Sequence, residues 1–118
     1  MLESKGRMAM RRPMKYFEIH ADTCKTFGHP KRLMIISALR NNELSVSKIA
    51  ETTGIDSSNL SQHLHFMREK GLVKTRREGT KIFYSLSHAN IGKAFDLMSE
   101  FLDQKIADSY KIIKEGRS

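Results

Sequence analysis

The chain has 118 residues, 21 Lys or Arg against 13 Asp or Glu, and a formal net charge of +8. That length predicts one domain around one core, and 39% hydrophobic with 29% charged residues is a globular balance rather than a disordered one. One cysteine excludes a disulfide framework or multi-cysteine zinc site; without a ~18-residue apolar run or a secretory h-region, the expectation is a cytoplasmic protein with a polyanionic partner.

The first 14 residues are basic, Met-rich and non-periodic, and read as a flexible arm ahead of a single domain over 15–118. A start at Met8, Met10 or Met14 would remove much of that arm. From about Met14 to Phe27, Phe17, Ala21 and Cys24 recur at helical spacing, and Gly28 closes the segment. Pro30 suits the first turn of a second helix, where its missing N–H costs nothing. That helix runs to about Arg40, with Leu33, Ile35, Ile36 and Leu39 as its core stripe and His29 a candidate cap. Ser45 then caps a short helix whose Val46, Ile49 and Ala50 face inward and which Gly54 ends. Asp56 or Ser57 opens another helix, reaching about Lys70, with Gly71 as its C-cap. Residues 72–76 and 81–86 are β-prone runs around Glu78-Gly79-Thr80, a β-hairpin. A long final helix, about Asn90 to Lys114, carries an apolar stripe that includes Ile91, Met98, Phe101, Leu102, Ile106, Tyr110 and Ile113.

Charge is unevenly distributed over these elements. Residues 1–15 hold five positive groups against one negative, and residues 72–86 hold four against one. Residues 16–56 and 87–118 each balance five against five, and 57–71 add a single positive charge. The excess therefore sits in the arm and the hairpin, as expected of a docking surface.

Two helices joined by a short turn containing Gly54 form a helix-turn-helix pattern. At about 100° per residue, Leu60, Leu64 and Met67 of the second helix fall inward, and Ser58, Ser61, Gln62 and His65 fall on the opposite side. Ser57 and Asn59 sit in its open first turn, from which recognition helices reach base edges. This polar, almost uncharged face suits the major groove: Gln and Asn can bond adenine bidentately, and Ser can serve either base type. Arg76, Arg77 and Lys81 flank the hairpin turn, where they would neutralise phosphates without reading sequence.

The run ELSVSKIAETTGIDSSNLSQHLHFMREKGLVKTRREGTKIFYSL, residues 43–86, resembles the winged helix of the ArsR-type repressors, and FGHPKRLMIISALR, residues 27–40, resembles the preceding helix. The likeness covers roughly residues 15–105 and is most specific in Ser61-Gln62-His63-Leu64 and in Arg68 to Val73. It implies a mainly α fold with a small β-hairpin, and a homodimer paired through its first and last helices. It also implies a palindromic double-stranded DNA operator, with repression relieved by a metal ion or another inducer.

The family's cysteine-based metal site is absent, because Ser45-Val46-Ser47 stands where it has Cys-Val-Cys, and a hydroxyl is no soft thiolate donor. Its second site takes Asp and His from the last helix, where this chain has Asp96, Glu100, Asp103 and Asp108 but no His. His63 and His65 lie ~200° apart on their helix and cannot chelate one ion; His63 is read as a hydrogen-bonded core residue and His65 as outward-facing. No metal and no cofactor is expected. Cys24 reads as a small buried hydrophobe, with a redox or thiol sensor as the alternative. The arm reads as a disordered tail, with Arg11 and Arg12 in a minor groove as the alternative. The terminal stripe reads as a dimer interface, since the helix is longer than a small core can cover.

No nucleophile–base pair, phosphate loop or paired carboxylates are visible, so catalysis has nothing to rest on. The basic groups form no amphipathic helix, which argues against a membrane-surface role. The sequence predicts a homodimeric, sequence-specific transcriptional regulator, a repressor released by an effector that the residues do not name. An effector-independent architectural DNA binder and a thiol-responsive regulator acting through Cys24 are its alternatives.

Overall fold

The computed structural model describes residues 11–116; the predicted arm falls mostly on residues 1–10, outside the described residues. The described elements are α1 (Met14–Phe27), α2 (Pro30–Leu39), β1 (Leu44–Ser45), α3 (Val46–Thr53), α4 (Ser57–Glu69), β2 (Val73–Glu78), β3 (Lys81–Leu86) and α5 (Ala89–Gly116). Helix α1 thus starts at Met14, one residue inside the boundary assigned to the arm.

The caps explain most helix starts. His29 Nδ1 accepts the Lys31 N–H at 3.1 Å ahead of Pro30, and Ser45 Oγ accepts the Lys48 N–H at 3.3 Å. Asp56 rather than Ser57 caps α4. Between α3 and α4, Gly54 takes φ +74°, a left-handed conformation costly for a residue with a Cβ, and its N–H closes α3 on the Ala50 carbonyl at 2.8 Å. That single residue turns the chain from α3 into α4.

The core is built by the middle of the chain. Ile35, Ile36 and Leu39 of α2 pack with Ile49 of α3, Leu60, Leu64 and Met67 of α4, and Ile55, Leu72 and Val73. Leu33, expected in the α2 stripe, is instead 37% exposed, because the buried side of the helix runs through Ile35, Ile36, Ala38 and Leu39. The sheet has three antiparallel strands in the order β1-β3-β2, one more than the predicted hairpin. Leu44 pairs with Tyr84 and Ser45 with Phe83. A two-residue strand is too short to show alternation, and only its partner far along the chain creates it.

Helices α1 and α5 lie outside this core. The Arg40 guanidinium ties α2 to Asp96 of α5 at 2.6 and 2.8 Å, while Ile91 and Phe95 pack against the core from the first turns of α5. Beyond them Met98, Phe101, Leu102, Ile106, Tyr110 and Ile113 are exposed, as are Met14, Phe17 and Ile19 of α1. Cys24 is exposed too within the single chain, where α1 buries only Thr26; its expected burial as a small hydrophobe belongs to the face α1 would offer a second copy. Among the described residues no helix is long and apolar enough to cross a membrane.

Candidate nucleic-acid interface

Helix α4 is held from behind. Leu60, Leu64 and Met67 are fully buried, which fixes its rotation and leaves Ser57, Ser58, Ser61, Gln62 and His65 exposed on the other side. Asn59 is half-buried. One flank is further tied to α1 and α2: Arg32 lies 4.0 Å over the Phe66 ring, its Nε–H donates to His63 Nδ1 at 3.4 Å and its Nη1 to the Thr26 carbonyl at 3.4 Å. Lys70 pairs with Asp22 of α1 at 3.2 Å. A helix so fastened presents its polar row in one register rather than several.

His63 is half-buried, with its ring 4.7 Å from that of His29, as its reading as a hydrogen-bonded core residue anticipates. Burial first, and then the charges of His29, Arg32 and Lys31, push its pKa down. The neutral ring is also what lets Nδ1 accept from Arg32. His65 points outward and contacts Glu69 at 2.9 Å, one turn along.

The first turn of α4 is less free than its sequence suggests. Asp56 accepts from the Asn59 N–H, the Ser58 hydroxyl and the Asn59 side-chain amide. Those bonds, in the order Asn59 backbone, Ser58 and Asn59 side chain, hold its carboxyl down to about 2. The side chains of Ser61 and Gln62, one turn on, have no hydrogen-bond partner among the described residues.

The hairpin tip is a two-residue turn in which only Gly79 has positive φ, +62°, and Glu78 pairs with Lys81 across it. Register places Arg77 opposite Ile82 and Arg76 opposite Phe83, so the two arginines lie on opposite faces of the hairpin. The three cations predicted to contact phosphates are therefore not equivalent. Arg76 bonds Glu43 at 2.7 Å and Glu78 at 2.8 Å and lies 4.8 Å over the Phe83 ring. The two carboxylates raise its pKa, and Arg76 in turn lowers that of Glu43. Arg77 and Lys81 are exposed, with no carboxylate in salt-bridge range among the described residues. The contribution of Glu43 had no signal in sequence, because 33 positions separate it from Arg76.

Cys24 lies on α1 with its Sγ 3.5 Å from His20 Nδ1, away from this surface. Ser45 Oγ and Ser47 Oγ are 3.2 Å apart at the start of α3. Among the described residues no three His, Cys, Asp or Glu side chains come together as a metal-binding group.

Comparison with known proteins agrees with this geometry. A family model described as bacterial regulatory protein, arsR family, matches residues 29–75. The transcriptional activator HlyU of Vibrio cholerae is 38% identical over 74 residues, covering 63% of this chain and 68% of HlyU. The structure of reduced HlyU superposes with a TM-score of 0.69 at 32% identity, over 80% of this chain and 96% of that one. The biofilm growth-associated repressor of Xylella fastidiosa is 44% identical over 69 residues, 58% of this chain and 60% of the repressor. The homodimeric winged helix-turn-helix DNA-binding domain of Mb0332 from Mycobacterium bovis gives a TM-score of 0.71 at 29% identity, over 80% of this chain and 87% of that domain.

Proposed function

Because this chain belongs to the bacterial arsR family of DNA-binding regulatory proteins, we propose that it is a homodimeric, sequence-specific repressor acting on a palindromic operator in the cytoplasm. The observation that carries this reading is the pairing of two unlike surfaces. An uncharged polar row (Ser57, Ser58, Ser61, Gln62 and His65, with Asn59 at its edge) lies on a helix whose rotation the core fixes. A hairpin follows with Arg77 and Lys81 exposed at its tip. The first surface supplies base contacts and the second phosphate contacts.

Pairing of two copies through α1 and α5 accounts for the apolar side chains both helices leave exposed, and it spaces two recognition helices about one DNA turn, ~34 Å, apart. The homodimeric Mb0332 domain supports that assembly. Relatives include both an activator and a repressor; repression follows the likeness to the latter, with release by an effector as its regulation.

The test is operator selection from random-sequence DNA with the purified protein, repeated with oxidant, reductant and a panel of metal ions. Gln62→Ala should then weaken binding to the selected operator by ~1–3 kcal/mol and leave nonspecific binding intact. Equal binding of the operator by both proteins would overturn the readout. A second reading, thiol control, is favoured by the approach of Cys24 Sγ to His20 Nδ1 at 3.5 Å. It requires operator affinity to respond to oxidant in the parent and not in Cys24→Ser.

A further inference from the structure

The residue that caps α4 also decides what the start of that helix can offer to a base. Asp56 Oδ1 accepts the Ser58 hydroxyl at 2.8 Å and the Asn59 backbone N–H at 3.0 Å, and Oδ2 accepts the Asn59 side-chain amide at 2.6 Å. A serine hydroxyl has one proton and two lone pairs. With that proton directed at Asp56, Ser58 faces outward as an acceptor only. Asn59 has one of its two amide protons committed, whereas its Oδ1 has no partner among the described residues. Asp56, exposed and ionised, has no proton to give.

The choice of a carboxylate is informative in itself. Ser and Asn cap helices about as well as Asp, without a negative charge on a surface read as meeting a polyanion. What Asp supplies and Ser does not is a second oxygen, and that oxygen is the one holding the Asn59 amide. Lys31, whose charge favours the ionised form of Asp56, offsets part of the repulsion. In the major groove, cytosine N4 and adenine N6 present donors, guanine presents only N7 and O6 acceptors, and thymine an O4 acceptor with a methyl group.

We propose that Asp56 is a specificity-positioning residue: by taking the Ser58 hydroxyl proton and one of the two Asn59 amide protons, it leaves Ser58 an acceptor and biases Asn59 toward accepting, so that the bases facing this pair are cytosine or adenine rather than guanine or thymine. The proposal rests on the reading of α4 as the base-reading helix. Ser57, Ser61 and Gln62, whose side chains have no such partner among the described residues, can both donate and accept, so selection by polarity is confined to the base pairs facing Ser58 and Asn59.

The test is operator selection with the intact protein and with Asp56→Ser and Asp56→Ala. Asp56→Ser keeps a capping oxygen for the Asn59 N–H but loses the second oxygen. It should therefore melt close to the parent, while Asp56→Ala melts lower. In the parent, the positions facing Ser58 and Asn59 should favour cytosine or adenine by about tenfold or more, the discrimination of one good side-chain–base contact. In Asp56→Ala both protons are released, and the preference facing Ser58 and Asn59 should fall to within about threefold of even; in Asp56→Ser only the Asn59 amide proton loses its oxygen, and the preference facing Asn59 should fall likewise, with preferences facing Gln62 retained in both. A merely structural cap would lower affinity for all sequences alike and leave the preferences unchanged. A parent that favours guanine or thymine there, or an Asp56→Ser protein that keeps the parent's preferences, overturns the proposal. Failure of the base-reading assignment looks different: Gln62→Ala then leaves the selected sequence unchanged, and no position facing α4 shows a preference in the parent.

Discussion

The sharpest consequence of the hairpin geometry is that its two adjacent arginines should respond differently to removal. Each phosphate neutralised by a protein cation contributes about 0.9 to the slope of log K against log salt, through counterion release. Arg77 is exposed with no carboxylate partner among the described residues, so a dimer carrying Arg77→Ala loses two contacts and about 1.8 of slope. Between about 50 and 200 mM salt that amounts to about one log unit, so the parent should lose roughly tenfold more affinity than the variant over that range. Arg76 already has its charge met by Glu43 and Glu78, at 2.7 and 2.8 Å. Its removal should change the slope by clearly less, yet weaken binding because Glu43 and Glu78 then face the phosphates unopposed. Adding Glu43→Gln to Arg76→Ala should restore part of that loss. Fluorescence anisotropy on a fixed operator, titrated at five or six salt concentrations, measures all four proteins. An Arg76→Ala slope as shallow as that of Arg77→Ala would refute the reasoning, by showing that Arg76 leaves its carboxylates when DNA binds.

Three other outcomes follow from the packing and the titration of single groups. Leu64→Ala removes a side chain that is 1% exposed on the core side of α4 and should cost ~2–5 kcal/mol in urea unfolding; a loss under ~1 kcal/mol would mean that α4 is not anchored there. Phe101, 63% exposed on α5, tolerates Glu in an isolated chain, so Phe101→Glu should give a folded monomer by sedimentation with operator affinity down at least about tenfold, as loss of one half-site contact implies; an unchanged dimer would put the interface elsewhere. His63 has a folded pKa below its ordinary 6.5, so the unfolded chain takes up the proton first. Its contribution is thus fully present above 6.5 and is lost as pH falls from there toward the folded value, and His63→Gln should flatten the urea midpoint between about pH 7.5 and 5.5.

Much of this architecture was legible from local pattern. Gly54, Gly71 and Gly79, the caps at His29 and Ser45, and the Leu60-Leu64-Met67 spacing are signals within one or two turns of the structure they specify. They place the helices, the turn and the hairpin correctly. What escaped is nonlocal or depends on a choice between neighbours. Strand β1 exists only through Tyr84 and Phe83, and Leu33 turned outward because Ile35, Ile36, Ala38 and Leu39 define the buried side.

Charge shows the same limit in a form that matters for DNA. Summing residues 72–86 treats Lys74, Arg76, Arg77 and Lys81 as equals against one carboxylate. In the fold a second carboxylate, Glu43, arrives from before α3, and with Glu78 it holds Arg76. On the proposed reading, phosphate binding by the tip therefore rests on Arg77 and Lys81, one on each face of the hairpin. Two cations on opposite faces of a thin ribbon suit a tip that enters a groove between two phosphate rows better than one lying flat on a single strand. On that geometry, removing Arg77 and Lys81 together should lower the salt slope by the sum of their separate effects, since each meets a different row; a smaller combined effect would mean that both reach the same phosphates.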